Sequence, residues 1–387
     1  MHISLRSAAA VSVLLSAVIV NAATGADDGS RSVRAADIGI EVGTMEPGEW
    51  NAITDVSGVI VGHRTIVRGD SVRTGVTAVL PHRGNIFREK VPAAVFVANG
   101  FGKLAGFTQV RELGNLETPI VLTNTLSVGT AVTAVTRYTL DAAGNEDVRS
   151  VNAVVGETND GYLNDIRGMH VGVEDVLLAI ETADSGPVGE GSVGAGTGTV
   201  AFGFKGGIGT ASRLVPGSSG GHHTIGVLVQ SNFGGMLDIN GAPVGLELEK
   251  AGSGNSRDGG DGSCMIVVAT DAPLCPRNLE RLASRAIAGM ARTGSYMSNG
   301  SGDYVIAFST AYTIPHEVAK PLDMPRLLRD NDMTPLFVAV ADATREAVYN
   351  SLLAATTVKG YRGHTACAIP VDEVLRICGK YNVLNKK

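Results

Sequence analysis

The dipeptide Gly262-Ser263 places a hydroxyl where it could act as a nucleophile. A segment rich in glycine and serine, 252–262, runs straight into Ser263 and the apolar run 264–269. The glycines predict an exposed loop because they are costly to order, and the β-branched run predicts a buried strand. If the bond before Ser263 were cut, its hydroxyl would lie beside a free α-amine able to act as general base. The alternative is an ordinary surface loop entering a strand.

Three further polar segments adjoin predicted strands, at positions where side chains commonly line a pocket. They are 156–165 after the strand 151–155, 231–235 after the strand 223–230, and 298–303 before the strand 304–307. The side-chain amide of Asn232 could donate to an oxyanion, and 298–303 could present a hydroxyl and a carboxylate together. Ordinary turns of Asn, Asp, Ser and Gly are the alternative explanation for each segment.

Other kinds of site have little support. The segment 194–199 lacks the third glycine of a dinucleotide-binding loop, so the stretch 192–212 predicts a twisted hairpin. His222 and His223 would point to opposite faces of a strand, which does not suit a shared metal ion. Five further histidines lack both ligand spacing and a motif with serine: His63, His82, His170, His316 and His364. None of these patterns indicates a dinucleotide or metal site.

Composition narrows the classes of partner. With 44% hydrophobic and 18% charged residues, the chain is that of a globular protein. Its net charge of −6, without a run of Lys and Arg, argues against nucleic acid as a partner. The cysteines have no CxxC spacing, so a zinc site is not indicated, while disulfides and buried free thiols both stay open. They are Cys264, Cys275, Cys367 and Cys378.

The amino terminus has the pattern of a targeting segment. Arg6 precedes an apolar stretch, 8–20, that is short for a membrane span, and small residues lead to a cleavage site after Ala22. We therefore predict a signal peptide at 1–22, a flexible leader at 23–35, and a mature protein that is periplasmic or secreted and free of the membrane. An uncleaved membrane anchor is the alternative.

Short apolar strands alternate with helical stretches along the rest of the chain, which predicts layers of helices on sheets. Strands are predicted at 59–62, 77–80 and 94–97, and helices at 126–141, 172–183, 278–292 and 342–353. No shift in composition is strong enough to divide the chain, so we predict a single domain over 36–387. The loop 252–262 interrupts that domain.

Several of these segments together resemble the self-processing serine aminopeptidases, the family of the L-aminopeptidase/D-amidase/D-esterase and the β-peptidyl aminopeptidases. The matching segments follow one another in the expected order: 51–63, 99–104, 123–125, 156–167, 230–234, 261–273 and 298–303. The resemblance implies an α+β fold, a four-layer αββα sandwich whose layering is similar to that of N-terminal-nucleophile hydrolases but whose strand order is distinct. It also implies homo-oligomers, often tetramers, and no cofactor.

The resemblance further implies that the chain cuts itself between Gly262 and Ser263 into fragments 23–262 and 263–387, which stay together. Ser263 then attacks short peptides, amides or esters that carry a free N-terminal amine, and forms an acyl-enzyme that water resolves. The preferred residue, whether L, D or β, is left open.

Five other residues receive roles from this resemblance. Ser301 and Asp303 assist proton transfer, Asn232 stabilises the oxyanion, and Tyr162 lies close to the reacting centre. Glu157 pairs with the N-terminal ammonium of the substrate, which explains trimming from the amino end. Two other functions compete with this one. They are an acyltransferase like ornithine acetyltransferase and a non-catalytic periplasmic binding protein.

Overall fold

The computed structural model describes residues 33–217, 220–252, 262–317 and 324–385, all within one compact unit. In these residues the strands are β1 (Ile60–Arg68), β2 (Val72–Leu80), β3 (Glu89–Gly100), β4 (Leu104–Ala105), β5 (Asn115–Leu116), β6 (Ile120–Asn124), β7 (Val154–Thr158), β8 (Val200–Ala201), β9 (Phe204–Lys205), β10 (Gly207–Pro216), β11 (His222–Asn232), β12 (Ser263–Thr270), β13 (Gly302–Ser309), β14 (Ile314–Pro315), β15 (Val358–Lys359) and β16 (Thr365–Ala366). The α-helices are α1 (Phe107–Leu113), α2 (Val128–Asp141), α3 (Val173–Glu181), α4 (Val244–Lys250), α5 (Pro276–Ala291), α6 (Thr334–Leu353) and α7 (Val371–Lys380).

Two sheets carry the fold. The first has the strand order β1-β2-β6-β7-β4, and only its β6–β7 pair is parallel. The second has the order β10-β11-β12-β13-β3-β14, with β5 also paired to β3. In its centre, β12 is antiparallel to β11 and parallel to β13. The polar starts of β12 and β13 therefore meet the end of β11 at one edge of the sheet.

Three apolar cores separate the layers. Because side chains alternate along a strand, β12 faces two of these cores. Ile266 and Val268 pack with residues of α5 and α6, whereas Met265 and Val267 pack between the sheets with Leu122 of β6. The third core lies between the first sheet and the helices α2 and α3. The result is the four-layer αββα sandwich that we predicted.

Helix α6 shows where local sequence misled the prediction. We predicted a helix at 342–353. The helix instead begins at Thr334, and Asp342 is buried within it. The Asp342 Oδ1 lies 3.4 Å from a guanidinium nitrogen of Arg345 and 3.8 Å from one of Arg292. Ion pairing makes the aspartate tolerable in the helix interior. The predicted hairpin at 192–212 is also shorter than expected, because only β8 and β9 form it and β10 runs on from there.

The chain's amino-terminal part is described only from residue 33. The predicted signal peptide and its cleavage site after Ala22 lie outside the described residues. In the predicted leader, Ala35 is buried and the Arg34 guanidinium lies 2.7 Å from the Glu190 carboxylate. Arg34 and Ala35, at the end of the predicted flexible leader 23–35, are therefore packed against the rest of the domain, and residues 23–32 lie outside the described residues. No helix among the described residues is long and apolar enough to cross a membrane.

The contact between β10 and α6 depends on Gly209. A Cβ at this position would collide with the backbone carbonyl of Ala347 and lie 2.6 Å from the amide nitrogen of Ser351. We expect Gly209→Ala to destabilise the protein by about 1–3 kcal/mol, because backbone atoms of a packed helix cannot yield cheaply. Thermal unfolding measures this effect. Gly129→Ala is the matched control, since Gly129 is helical with open space around it and alanine should stabilise it slightly. Equal midpoints for the two variants would contradict the expectation.

Candidate active site

A cavity of about 630 Å³ opens where β11 ends and β12 begins. It is lined by five of the residues that the sequence singled out: Glu157, Tyr162, Asn232, Gly262 and Ser263. Ser301 and Asp303 do not line it. They flank Gly302, which lies directly opposite Ser263 in the β12–β13 pair, so both are next to the cavity but buried.

Ser263 is the first residue of β12 and is 5% exposed. Its Oγ donates a hydrogen bond of 2.6 Å to the carbonyl oxygen of Gly262, within the peptide group that precedes it. The backbone N–H of Gly302 donates to that same carbonyl oxygen at 3.1 Å and to the Ser263 Oγ at 3.3 Å. The hydroxyl thus lies against the Gly262 carbonyl, and an N–H donor is aimed at the oxygen on which negative charge would develop.

Asn232 ends β11 directly opposite Ser263 in the antiparallel register. Its Oδ1 accepts a hydrogen bond of 3.0 Å from the N–H of Val200, and its Nδ2 donates one of 3.1 Å to the carbonyl of Asn159. Both ends of the amide are therefore held. Because an amide nitrogen carries two hydrogens, the second remains able to serve an oxyanion.

Asp303 is fully buried, and neither of its carboxylate oxygens has a hydrogen-bond partner among the described residues. Burial raises its pKa from 3.8 to about 6, although the nearby Ser301 hydroxyl and Cys264 amide act in the opposite direction. The Ser301 Oγ is equally buried and unpartnered. Buried polar groups without partners are rare and concentrate at functional sites, so this pair is a candidate for proton transfer.

The turn that carries Ser301 is held by Asn99 of β3. Its Nδ2 donates to the carbonyl oxygens of Ser298 at 2.8 Å and Ser301 at 2.6 Å. Asn99 belongs to a segment that we matched by resemblance without giving it a role. The sequence feature that could have identified Asn99 is a side-chain amide near the end of a strand.

Glu157 lies in strand β7, not in the loop that we predicted after 151–155, because that strand runs from Val154 to Thr158. The side chain is 3% exposed and its Oε1 accepts a hydrogen bond of 2.9 Å from the N–H of Lys103. Burial raises its pKa, and the Lys103 ammonium partly offsets that rise. A buried carboxylate facing a cavity is suited to bind a cation.

Tyr162 stacks on His364, a residue that sequence reasoning set aside as isolated. The two rings lie 4.5 Å apart with an interplanar angle of 12°, and the His364 Nδ1 is 2.9 Å from the Tyr162 carbonyl oxygen. Both residues line the cavity. They are 202 positions apart in the chain, so no local pattern could have joined them.

The described residues give no other site of the kinds considered from sequence. Within them no group of three or more His, Cys, Asp or Glu side chains could hold a metal ion. All four cysteines are free thiols, and those at Cys264 and Cys378 are buried. The segment Gly194–Gly196 forms a buried 3-10 helix beside β2.

This fold has the layering of the N-terminal-nucleophile hydrolases, and its cavity holds the candidate nucleophile Ser263. Comparison with known proteins makes the assignment specific. The model of peptidase family S58 matches residues 51–366, and the chain belongs to this family. The resemblance, the fold class and the aminopeptidase activity predicted from the sequence are thereby confirmed.

Three relatives show how far the similarity extends. Beta-peptidyl aminopeptidase BapA of Sphingosinicella microcystinivorans is 44% identical over 373 residues, which cover 91% of this chain and 93% of that protein. The solved structure of the L-aminopeptidase D-Ala-esterase/amidase from Ochrobactrum anthropi has a TM-score of 0.84 at 39% identity, covering 91% of this chain and 99% of that one. A beta-aminopeptidase from Burkholderia sp. has a TM-score of 0.83 at 40% identity, covering 90% and 99%.

Proposed function

We propose that this aminopeptidase is exported, cuts itself between Gly262 and Ser263, and then uses Ser263 to release N-terminal residues from short peptides, amides or esters. One observation carries the proposal. The Ser263 hydroxyl contacts the carbonyl group of the bond to be cut, and both residues line the cavity. A purely structural serine at the start of a strand would not need an accessible cavity around it.

In the self-processing step the Ser263 Oγ attacks the Gly262 carbonyl carbon, and the Gly302 N–H stabilises the resulting oxyanion. The hydroxyl proton passes to the buried base formed by Asp303 with Ser301. Cleavage of the C–N bond leaves an ester on Oγ, and the released nitrogen takes up a proton. Water then hydrolyses the ester, which frees the Gly262 carboxylate and a new amino terminus at Ser263.

Turnover of substrate uses the same nucleophile, Ser263, with a different base and a different oxyanion donor. The freed α-amine of Ser263 acts as general base for its own hydroxyl, which attacks the substrate carbonyl. The Asn232 amide stabilises the oxyanion, with Tyr162 close to the reacting centre. The substrate's C–N or C–O bond then breaks, the amine or alcohol leaves with a proton, and water hydrolyses the acyl-enzyme to free the N-terminal residue and Ser263. Glu157 pairs with the N-terminal ammonium, so peptides with a blocked amine are rejected. The names of two relatives support N-terminal β-residues as substrates.

Intact-mass measurement of the purified enzyme under denaturing conditions tests the proposal. We expect two species that begin near Ala23 and at Ser263, since the signal peptide is removed and the chain cuts itself once. A single mass spanning both fragments would contradict self-processing. A first fragment that begins at Met1 would contradict the signal peptide but not the cut. Under native conditions we propose homo-oligomers of such paired fragments, whose size native mass measurement gives.

A further inference from the structure

Lys103 lies in the part of the cavity where the proposed function requires the ammonium group of a substrate. Its Nζ is 3.6 Å from the Glu157 Oε1 and 2.5 Å from the Thr125 Oγ1. All three residues line the cavity. A lysine side chain ends in a primary ammonium, the same group that begins an unblocked peptide. The chain therefore places one of its own ammonium groups against the carboxylate proposed to recognise the substrate.

The two members of this pair differ sharply in freedom. The Glu157 side chain is 3% exposed and accepts a hydrogen bond from the Lys103 backbone N–H, whereas the Lys103 side chain is 56% exposed. The carboxylate is therefore fixed, and the ammonium can move into solvent on its flexible stem. Only the lysine end of this ion pair is solvent-exposed, so a competing ammonium can take its place at the carboxylate without leaving that carboxylate unpaired.

Charge decides what happens when substrate arrives. One carboxylate can balance one ammonium, and two cations beside it in a cavity would repel each other. We propose that Lys103 is a tethered stand-in for the substrate's ammonium, which occupies the Glu157 subsite in the free enzyme and leaves it when substrate binds. This inference rests on the role given to Glu157 under the proposed function. Lys103 is then a specificity-determining residue. When it leaves Glu157, only a ligand that carries its own cation can pair with the carboxylate in its place.

The lysine also affects the ionisation of Glu157. Among the described residues, the titratable groups that act on this carboxylate are Lys103 and Tyr304 of β13. Burial raises the pKa of Glu157 and the Lys103 ammonium lowers it, so removing the ammonium raises the pKa further. Glu157 binds an ammonium only when ionised. The acid limb of a pH profile should therefore move to higher pH when Lys103 is removed.

The test compares Lys103→Met with the wild type on the best substrate among the para-nitroanilides of L-alanine, D-alanine and β-homoalanine. At a pH above the acid limb of both profiles and below the amine pKa of about 8 of the substrate, we expect KM to fall about two- to fivefold, beyond any change in kcat. The acid limb of kcat/KM should shift to higher pH. Lys103→Arg should restore KM toward the wild-type value because it restores the cation. Lys359→Met, which removes an exposed cation outside the cavity, is the control.

An unchanged or higher KM in Lys103→Met overturns the inference, and so does an acid limb that stays in place. Should that variant fail to process or fold, by intact mass and thermal unfolding, Lys103→Gln takes its place. Glu157→Gln separates the inference from the proposed function. We expect it to raise KM at least tenfold. If it leaves KM unchanged, the ammonium subsite itself is wrong and the inference falls with it.

Discussion

Ser263→Ala is expected to leave one uncut chain and to reduce aminopeptidase activity by a factor on the order of 10⁶, the scale on which loss of a catalytic serine acts. Alanine removes the only hydroxyl in contact with the Gly262 carbonyl among the described residues, and with it both the cut and the later acyl-enzyme. Denaturing mass analysis reads the cut, and hydrolysis of a para-nitroanilide reads the activity.

A matched control separates loss of the nucleophile from damage to the sheet. Ser309 ends β13 in the same sheet, is buried, and donates to the carbonyl of Ala272 away from the cavity. Ser309→Ala should lose some stability but still be cut and active. A Ser263→Ala protein that still separates into fragments at this junction would remove Ser263 as the nucleophile.

Asp303→Asn is expected to slow self-processing at least about 10²-fold and, unusually for a buried substitution, to stabilise the fold. The slowing follows from loss of the base. The stabilisation follows because the ionised carboxylate is buried without a hydrogen-bond partner among the described residues. Its pKa rises from 3.8 to about 6 on folding, so ionisation opposes folding by up to about 3 kcal/mol above pH 6.

The sign of that effect depends on pH. Near pH 4 the carboxyl group is neutral in the folded chain and about half ionised in the unfolded one, so most of the penalty is absent there and most of the gain from asparagine should be lost. Thermal unfolding at pH 8 and pH 4 of Ser263→Ala with and without Asp303→Asn compares chains that are equally uncut. Asp342→Asn is the contrast, because Asp342 is buried in ion pairs and should lose stability instead. A lower unfolding midpoint for the Asp303→Asn variant at pH 8 would contradict the prediction. It would mean that interactions in the folded protein stabilise the ionised Asp303 carboxylate.

Local sequence was sufficient for the elements that hold the site. The apolar runs of β11 and β12 predicted buried strands, and their junctions with polar segments placed Asn232 and Ser263 at strand ends. The register then brings these two residues opposite each other. Pattern alone could give the strands but not their partners, which is why the αββα arrangement came from resemblance.

The parts that the sequence did not predict depend on distant contacts. Glu157 is buried within a strand, although the density of polar residues over 156–165 predicts a loop there. Lys103 belongs to the matched segment 99–104 but received no role there, and His364 has no distinguishing neighbours in the sequence. Their positions in the cavity follow from the pairing of β4 with β7 and from the stacking of His364 on Tyr162. Tertiary packing, not propensity, decides such positions.

The strand order of the second sheet affects how the enzyme can refold after the cut. Strands β12 and β13 belong to the proposed second fragment, yet they lie between β11 and β3 of the first. A single connected chain can assemble this arrangement by an intramolecular reaction. Once the link is gone, renaturation from the denatured state becomes bimolecular and slows with dilution. The lifetime of the mature enzyme would then depend on a slow rate of unfolding. The Gly262–Ser263 peptide bond would be needed only while the chain folds.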